Sequence, residues 1–284
     1  MKKNFSTLLL FAILFLGLGL LAYPSFSDYW NSFHQSRAIA SYAEAVANMD
    51  DEEYEKILAI ARKYNDKLAQ LGGNKWTLSE EELKEYNETL DISGTGIMGY
   101  IEIDKIKCSL PIYHGTEDTV LQIAIGHIQG SSLPVGGNTC HTVLSGHRGL
   151  PSAKLFTDLD RMENGDTFVI RVLDETLTYE VDQVLIVEPD NLSALTLEEG
   201  KDYCTLVTCT PYGINTHRLL VRGHRVANAA DAGAIRITAD GVQIEPIIVA
   251  PMVAVPILLI LLIIVLTDTH NKRSTYGRRR KTRK

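Results

Sequence analysis

The sequence lacks the short patterns that mark metal-binding modules and repeat proteins. It contains neither a Cys-x-x-Cys pair nor a His-x-x-x-His spacing, so no zinc site is expected. No internal repeat and no low-complexity tract is visible along its 284 residues. These absences direct attention to single side chains rather than to a metal cluster or a repeated surface.

Positive charge is scarce in the middle of the chain. Of the 28 basic residues, Lys2, Lys3 and eight in the tail lie at the ends, together with only one of the 35 acidic residues. The middle section therefore has a net charge near −16. Nucleic-acid-binding domains carry basic patches instead, so no nucleic-acid partner is expected.

Two uncharged apolar stretches flank this acidic section. The first runs from about Leu8 to Ala22 and is extended toward about eighteen residues by Phe5 and Thr7, and the second runs from Ile247 to Leu266. Each is long enough to cross a bilayer as a helix, and Pro251 and Pro256 argue against a soluble core helix for the second. Residues 1–24 are therefore predicted to be a membrane anchor and 247–266 a transmembrane helix. A cleaved signal peptide is the alternative for the first stretch, although Leu20–Pro24 is a poor cleavage site.

The basic residues at both ends predict the membrane topology. Cytoplasmic segments next to membrane helices are enriched in Lys and Arg, so both termini are predicted to be cytoplasmic, including the basic tail, 267–284. The tail would also contact anionic lipid headgroups. The segment between the two helices is then an extracellular domain of a two-pass protein in the cell membrane.

A helical appendage is predicted ahead of the main domain, over residues 25–92. Apolar residues recur every three or four positions from Tyr29 to Leu71, and Gly72-Gly73 ends that helix. Ser79 followed by three glutamates is a capping box, which begins a short helix running to Leu90.

Residues 93–228 change to strand patterns separated by turns. Roughly eight strands with only short helices between them predict a mainly β, closed mixed β-barrel. A short helix is predicted from Pro151 to Met162, and residues 229–246 are predicted to be a linker or terminal hairpin. The predicted strands run over 98–103, 105–112, 139–144, 167–173, 177–187, 203–209 and 218–226.

Cys209 and Arg218 stand at facing ends of two of these strands. Strand alternation puts Cys204 and Cys209 on opposite faces, so they cannot bridge each other, whereas Cys108 and Cys140 could pair. A cation beside a thiol favours the thiolate, which is the nucleophile. A buried structural cysteine beside a surface arginine is the alternative that these two residues leave open.

Three histidines precede Cys209 in the predicted barrel. His141 lies inside a strand, where it would pack, and His127 is an undistinguished candidate. His147 follows a strand in a glycine-flanked loop, which displays side chains rather than burying them. His147, Cys209 and Arg218 would supply a proton carrier, a nucleophile and a cation for a developing oxyanion.

These motifs resemble those of class C sortases, the pilin-polymerising transpeptidases of Gram-positive bacteria. The resemblance covers about Gly99 to Arg225 and rests on three segments: TLVTCTPYGINTHRLLVRG (205–223), LSGHRGLP (144–151) and GSSLPVGG (130–137). It implies an eight-stranded sortase barrel, catalytic roles for His147, Cys209 and Arg218, and no metal or organic cofactor.

The resemblance also implies the substrates, which are proteins bearing LPxTG-like sorting signals. Cys209 would cleave between Thr and Gly, and the acyl group would pass to a pilin lysine to assemble pili. One alternative is a housekeeping sortase that anchors surface proteins to peptidoglycan. A second is a catalytically idle, membrane-anchored binding domain.

The sequence departs from class C sortases in one feature, the lid motif. These enzymes often cover the cleft with an Asp-Pro-aromatic motif, and the nearest counterpart here is Asn74-Lys75-Trp76. The aromatic Trp76 is present as a possible lid residue, but Asp and Pro are missing. A weaker or absent lid is therefore predicted, and packing of Trp76 within the appendage is the alternative.

Overall fold

The computed structural model describes residues 2–228, with side-chain surroundings from residue 10 onward. Helices α1 to α3 precede the strands, and a short helix α4 follows the second strand. The helices are α1 (Lys2–Ala47), α2 (Asp51–Gln70), α3 (Glu80–Glu88) and α4 (Asp118–Leu121). The strands are β1 (Ile97–Ile103), β2 (Cys108–His114), β3 (Ile125–His127), β4 (Cys140–Ser145), β5 (Thr167–Val172), β6 (Glu175–Val187), β7 (Asp202–Thr210) and β8 (His217–Val226).

The described chain divides into two compact units between Phe26 and Ser27. The part of α1 that belongs to the first unit is mainly apolar, as the sequence predicts for a membrane anchor. By length and composition, Leu10–Ala47 is the one candidate membrane span among the described residues. A signal sequence meets the same criteria, so the choice between anchor and leader stays a prediction. The predicted linker, second transmembrane helix and basic tail lie outside the described residues.

The residues predicted to form the appendage are largely helical, but they form separate helices rather than one helix from Tyr29 to Leu71. The break falls at Asp50, whose extended backbone (φ −82°, ψ 158°) ends the helical path. Its carboxylate accepts a hydrogen bond from the Glu53 amide at 2.8 Å and caps α2. The capping box at Ser79 and Glu82 is present at the start of α3, as predicted.

The eight strands close into a barrel in the order β1-β2-β3-β4-β7-β8-β6-β5. The pairs β2–β3 and β4–β7 are parallel, and the remaining pairs are antiparallel. Side chains that alternate along each strand fill the interior, among them Ile101, Ile112, Leu144, Phe168 and Leu206. The predicted closed mixed barrel is confirmed, and a closed sheet leaves no edge strand unpaired.

Two local predictions fail within the barrel. Strand β3 was not predicted, because a strand of three residues is too short to show an alternating pattern. The helix predicted from Pro151 to Met162 is reduced to a single 3-10 turn, Leu159–Arg161. Here the Phe156 amide bonds to the His147 carbonyl at 3.2 Å instead of to a helical partner. The segment therefore folds back against the His147 loop.

Candidate active site

The parallel pairing of β4 and β7 places His147 beside Cys209. Ser145 pairs with Val207 in this ladder. His147 lies two residues after Ser145, and Cys209 lies two residues after Val207. The ladder continues into the loop, because the Gly146 amide donates to the Val207 carbonyl at 3.0 Å. The Thr208 hydroxyl also donates to the Gly146 carbonyl at 2.7 Å. His147 and Cys209 thus follow paired residues of two neighbouring strands, which lie about 4.8 Å apart.

The antiparallel pairing of β7 and β8 places Arg218 on the other side of the cysteine. Cys209 and Arg218 are direct partners in this ladder, and side chains of directly opposed residues lie on the same face with Cβ atoms about 5 Å apart. The three residues that the sequence singled out therefore form a row at one end of three neighbouring strands, with His147 just beyond β4, Cys209 on β7 and Arg218 on β8.

This row lies on the outer face of the barrel. Cys204 and Leu206 of β7 belong to the interior core, whereas Val207 packs in a separate cluster with Val143, Leu195 and Leu220. Cys209 shares the face of Val207 by strand alternation, and it is half-buried.

The four cysteines are free thiols, so the possible Cys108–Cys140 bridge is not formed. The opposite placement of Cys204 and Cys209 agrees with the prediction from strand parity. Burial raises the pKa of the Cys204 thiol well above its ordinary value. Cys204 is therefore an inert core side chain, while Cys209 stands on the surface that carries His147 and Arg218.

Arg218 is held by the turn that joins β7 to β8. Its Nη1 donates to the Asn215 carbonyl at 3.3 Å and to the His217 carbonyl at 3.1 Å. A guanidinium has five N–H donors, so these bonds fix its direction and leave donors for a substrate carbonyl. Such pre-oriented donors are what a developing oxyanion requires.

Two glycines allow the His147 loop to lie close to its neighbours. A Cβ on Gly146 would come within 2.7 Å of the Phe156 ring. Gly149 has a φ of +76°, and a Cβ there would come within 2.8 Å of the Tyr212 ring. A side chain at either position would push the loop away from these rings. The glycines on both sides of His147 therefore allow the loop to pack closely as well as to display the histidine.

His127 and His141 are buried and hydrogen-bonded within the fold. His141 Nδ1 donates to the Thr196 carbonyl at 2.8 Å, and its Nε2 lies 2.7 Å from the Thr205 hydroxyl. This histidine holds the β6–β7 connection against β4. His127 Nδ1 lies 2.9 Å from the Tyr86 hydroxyl. Both are held within the fold by these bonds, so His147 stays the candidate proton carrier among the three histidines that the sequence singled out.

Acid is expected to destabilise the protein through His127. Desolvation lowers the pKa of this histidine to about 4, against about 6.5 in the unfolded chain. Between these values only the unfolded state binds the proton, so the free energy of unfolding falls as the pH drops from 6.5 to 4, by about 3 kcal/mol in total. Urea unfolding across this range would measure the slope.

The free energy of unfolding should depend less steeply on pH in His127→Gln, because glutamine has no titrating group at this position. The matched control is His217→Gln, since His217 is partly exposed and outside the core. If His127→Gln and wild type lose stability in parallel between pH 6.5 and 4, the buried histidine does not cause the acid sensitivity.

The segment predicted as a possible lid is anchored at the opposite end of β7 from Cys209. Asn74 Nδ2 donates to the Leu195 carbonyl at 2.9 Å and contacts the His141 carbonyl at 3.5 Å. His141 pairs with Tyr203, near the start of β7. Lys75 is tied to Glu82 of α3 at 2.6 Å. These bonds hold the segment against the β6–β7 connection, and Trp76 is 36% exposed.

Trp76→Ala is therefore expected to leave the rate of sorting-peptide hydrolysis and the rate of Cys209 alkylation within about twofold of wild type, because a side chain that does not cover the thiol cannot limit its access. A stopped-flow thiol-labelling assay would measure this. An increase of tenfold or more in labelling would show that Trp76 closes over the cleft.

Contacts of Arg148 complete the site, and the sequence pattern did not reveal them. Arg148 follows His147 and reaches both Thr210, next to Cys209, and Asp160. Its position beside the candidate histidine is the signal that could have drawn attention to it. Among residues 10–228, no group of three or more His, Cys, Asp or Glu side chains is placed to hold a metal ion.

Comparisons with known proteins agree with this geometry. A family model of the sortase domain matches residues 101–226. Sortase C1 from Streptococcus agalactiae is 54% identical and aligns over 68% of this chain and 100% of that chain, with a TM-score of 0.67. Sortase C from Streptococcus pneumoniae is 42% identical over 68% of this chain and 98% of that chain, with a TM-score of 0.61.

A curated relative, sortase D of Bacillus subtilis (strain 168), is 34% identical over 131 residues. That match covers 45% of this chain and 63% of the relative, so this chain spans less than two thirds of it. The similarity to the two solved class C structures extends over nearly their whole length. The chain therefore belongs to the sortase family of cysteine transpeptidases, and within that family to class C.

Proposed function

We propose that the protein cleaves an LPxTG-like sorting signal between Thr and Gly and joins the new acyl group to a lysine amine of a pilin subunit. The row of His147, Cys209 and Arg218 across β4, β7 and β8 carries this proposal. Class membership supports the pilin acceptor, since the sortase C of Streptococcus pneumoniae has been studied for pilin substrate specificity.

In the first half of the reaction, the Cys209 thiolate attacks the threonine carbonyl and forms a tetrahedral intermediate. Arg218 donates hydrogen bonds to the carbonyl oxygen as it becomes negative. His147 gives a proton to the leaving glycine amine, and the C–N bond breaks to leave a thioacyl-enzyme. The second half reverses these roles, since His147 takes a proton from the incoming lysine amine as that amine displaces Cys209.

The surrounding chain would place this chemistry at the cell surface. Residues 1–24 would anchor the protein, 25–92 form its appendage, 93–228 form the catalytic barrel, and 247–266 form a second membrane helix. With both termini in the cytoplasm, the barrel faces outward, where substrates emerge from the membrane. The apolar character of α1 supports this arrangement.

Incubation of the full chain in detergent micelles with a pilin that carries its sorting signal would test the proposal. A ladder of covalent polymers that is absent in Cys209→Ala supports a pilin-joining enzyme. Peptide cleavage with transfer only to a peptidoglycan-type amine would indicate an anchoring sortase instead. No thioacyl adduct with any sorting peptide would contradict transpeptidation and favour a binding domain.

A further inference from the structure

Arg148 connects the loop after β4 to the loop after β7. Its Nη1 donates to the Thr210 hydroxyl at 3.3 Å, and its Nη2 pairs with the Asp160 carboxylate at 2.5 Å. Its guanidinium carbon lies 5.9 Å from the centroid of the Tyr212 ring. One side chain thus contacts the residue after Cys209, an aromatic of the same turn, and the 3-10 turn at Leu159–Arg161.

The guanidinium of Arg148 is enclosed, although it is charged. Its side chain is only 10% exposed, and its buried Nε has no hydrogen-bond partner among the described residues. Removing a charged group from water and leaving a donor unpaired both cost stability. A side chain chosen for stability alone would be a poor fit here, which points to a role in the site.

The same two loops also meet where an aromatic side chain of one packs on a glycine of the other. The Tyr212 ring rests against Gly149, close enough that a Cβ at Gly149 would overlap it. In the sequence, Arg148 stands between His147 and Gly149, and Gly149 contacts Tyr212 in the turn after Cys209. A shift of the guanidinium would break its contacts to both loops.

We propose that Arg148 is a positioning residue that sets the separation between His147 and Cys209. This inference rests on the proposed transpeptidase function and deepens it. The planar fork of arginine uses two different nitrogens for Thr210 and Asp160, whereas lysine has a single nitrogen that cannot span both partners. The role therefore depends on the shape of the side chain and not only on its charge.

Steady-state kinetics with a fluorogenic sorting peptide would test this role in the full chain. Arg148→Gln and Arg148→Lys are both expected to lower kcat by roughly 10- to 100-fold with KM within about threefold, because a small misplacement of catalytic groups costs about this much. Thr210→Val removes only the hydroxyl partner and should lower kcat in the same direction, by a smaller factor. Arg161→Gln is the matched control, since Arg161 lies on the same 3-10 turn, is largely exposed and pairs with Asp158.

A double-mutant comparison separates positioning from general damage. In a His147→Ala background, Arg148→Gln should cause no further loss of kcat, since it acts through the missing histidine. Alkylation of Cys209 at pH 7 provides a second measurement that needs no peptide. It should slow by roughly three- to tenfold in Arg148→Gln and Arg148→Lys, because a displaced His147 no longer lies beside the thiol to assist loss of its proton.

The outcomes decide between clear alternatives. Normal kcat and alkylation in Arg148→Lys would overturn a role of the fork geometry, and additive losses in the His147→Ala background would overturn action through His147. A variant that has only a lower urea midpoint, with wild-type kcat and alkylation, would make Arg148 purely structural. If wild type cleaves no peptide at all, the proposed function fails, and the alkylation rates still decide the role of Arg148.

Discussion

Cys209→Ala is expected to abolish cleavage of a sorting peptide, lowering kcat by a factor of about 10⁴ or more. The substitution removes the only atom of the row that can form the thioacyl bond, while His147 and Arg218 stay in place. Mass spectrometry of the enzyme after incubation with peptide would show the acyl adduct on wild type and none on the variant. Loss of fluorescence signal in the cleavage assay would measure the same effect.

The matched control for this prediction is Cys204→Ala. Cys204 lies on the same strand but faces the interior core and is fully buried. Its truncation should cost roughly 1–2 kcal/mol of unfolding free energy through lost packing, while kcat of the folded protein stays near wild type. Acyl adducts that persist in Cys209→Ala, or disappear in folded Cys204→Ala, would show that Cys209 is not the nucleophile.

Arg218→Gln is expected to lower kcat by about 10²- to 10³-fold, with a much smaller change in KM, because removing one oxyanion donor typically costs this much in the transition state. Arg218→Lys should recover little of the loss. The contacts to Asn215 and His217 orient a planar group, and a lysine has neither that shape nor its paired donors. Separate determination of kcat and KM would distinguish this from weaker substrate binding.

Arg222 offers a control on the same strand and the same face. Two of its nitrogens pair with the Asp182 carboxylate at 3.0 and 3.2 Å, and its guanidinium carbon lies 4.2 Å from the centroid of the Tyr203 ring. Arg222→Gln should lower unfolding free energy by about 1–3 kcal/mol and leave kcat within severalfold of wild type. Equal losses of kcat in the two arginine variants would assign the effect to the general positive charge of this face.

Much of the fold and of the candidate site could be predicted because strand patterns and loop residues carry local information. Alternation along residues 203–209 separates Cys204 from Cys209, and the structure places them on opposite faces as expected. The glycines around His147 indicate a tight, displayed loop, and Gly146 and Gly149 indeed lie against ring side chains. Adding the resemblance to class C sortases identifies the barrel and the three candidate catalytic residues.

Features that depend on distant contacts could not be predicted in this way. The helix expected over 151–162 is missing because the segment bonds back to the His147 loop, and no local propensity encodes that partner. The position of Asn74 depends on the Leu195 carbonyl, more than a hundred residues away. The role proposed for Arg148 likewise needs the Thr210 hydroxyl, which becomes its neighbour only when β4 and β7 pair.

The mixed pairing of β7 also has a consequence for the order in which the site is assembled during folding. Its partner β8 follows after a short turn, whereas the contact from Thr208 to Gly146 joins residues 62 positions apart. Closing a long loop costs more chain entropy than closing a hairpin, and nonlocal pairing is the slower event. Cys209 is therefore expected to lie beside Arg218 before it lies beside His147. A chain in which β7 has paired with β8 but not yet with β4 would hold the nucleophile and the oxyanion donor together without the proton carrier, so acyl transfer would have to await the nonlocal pairing.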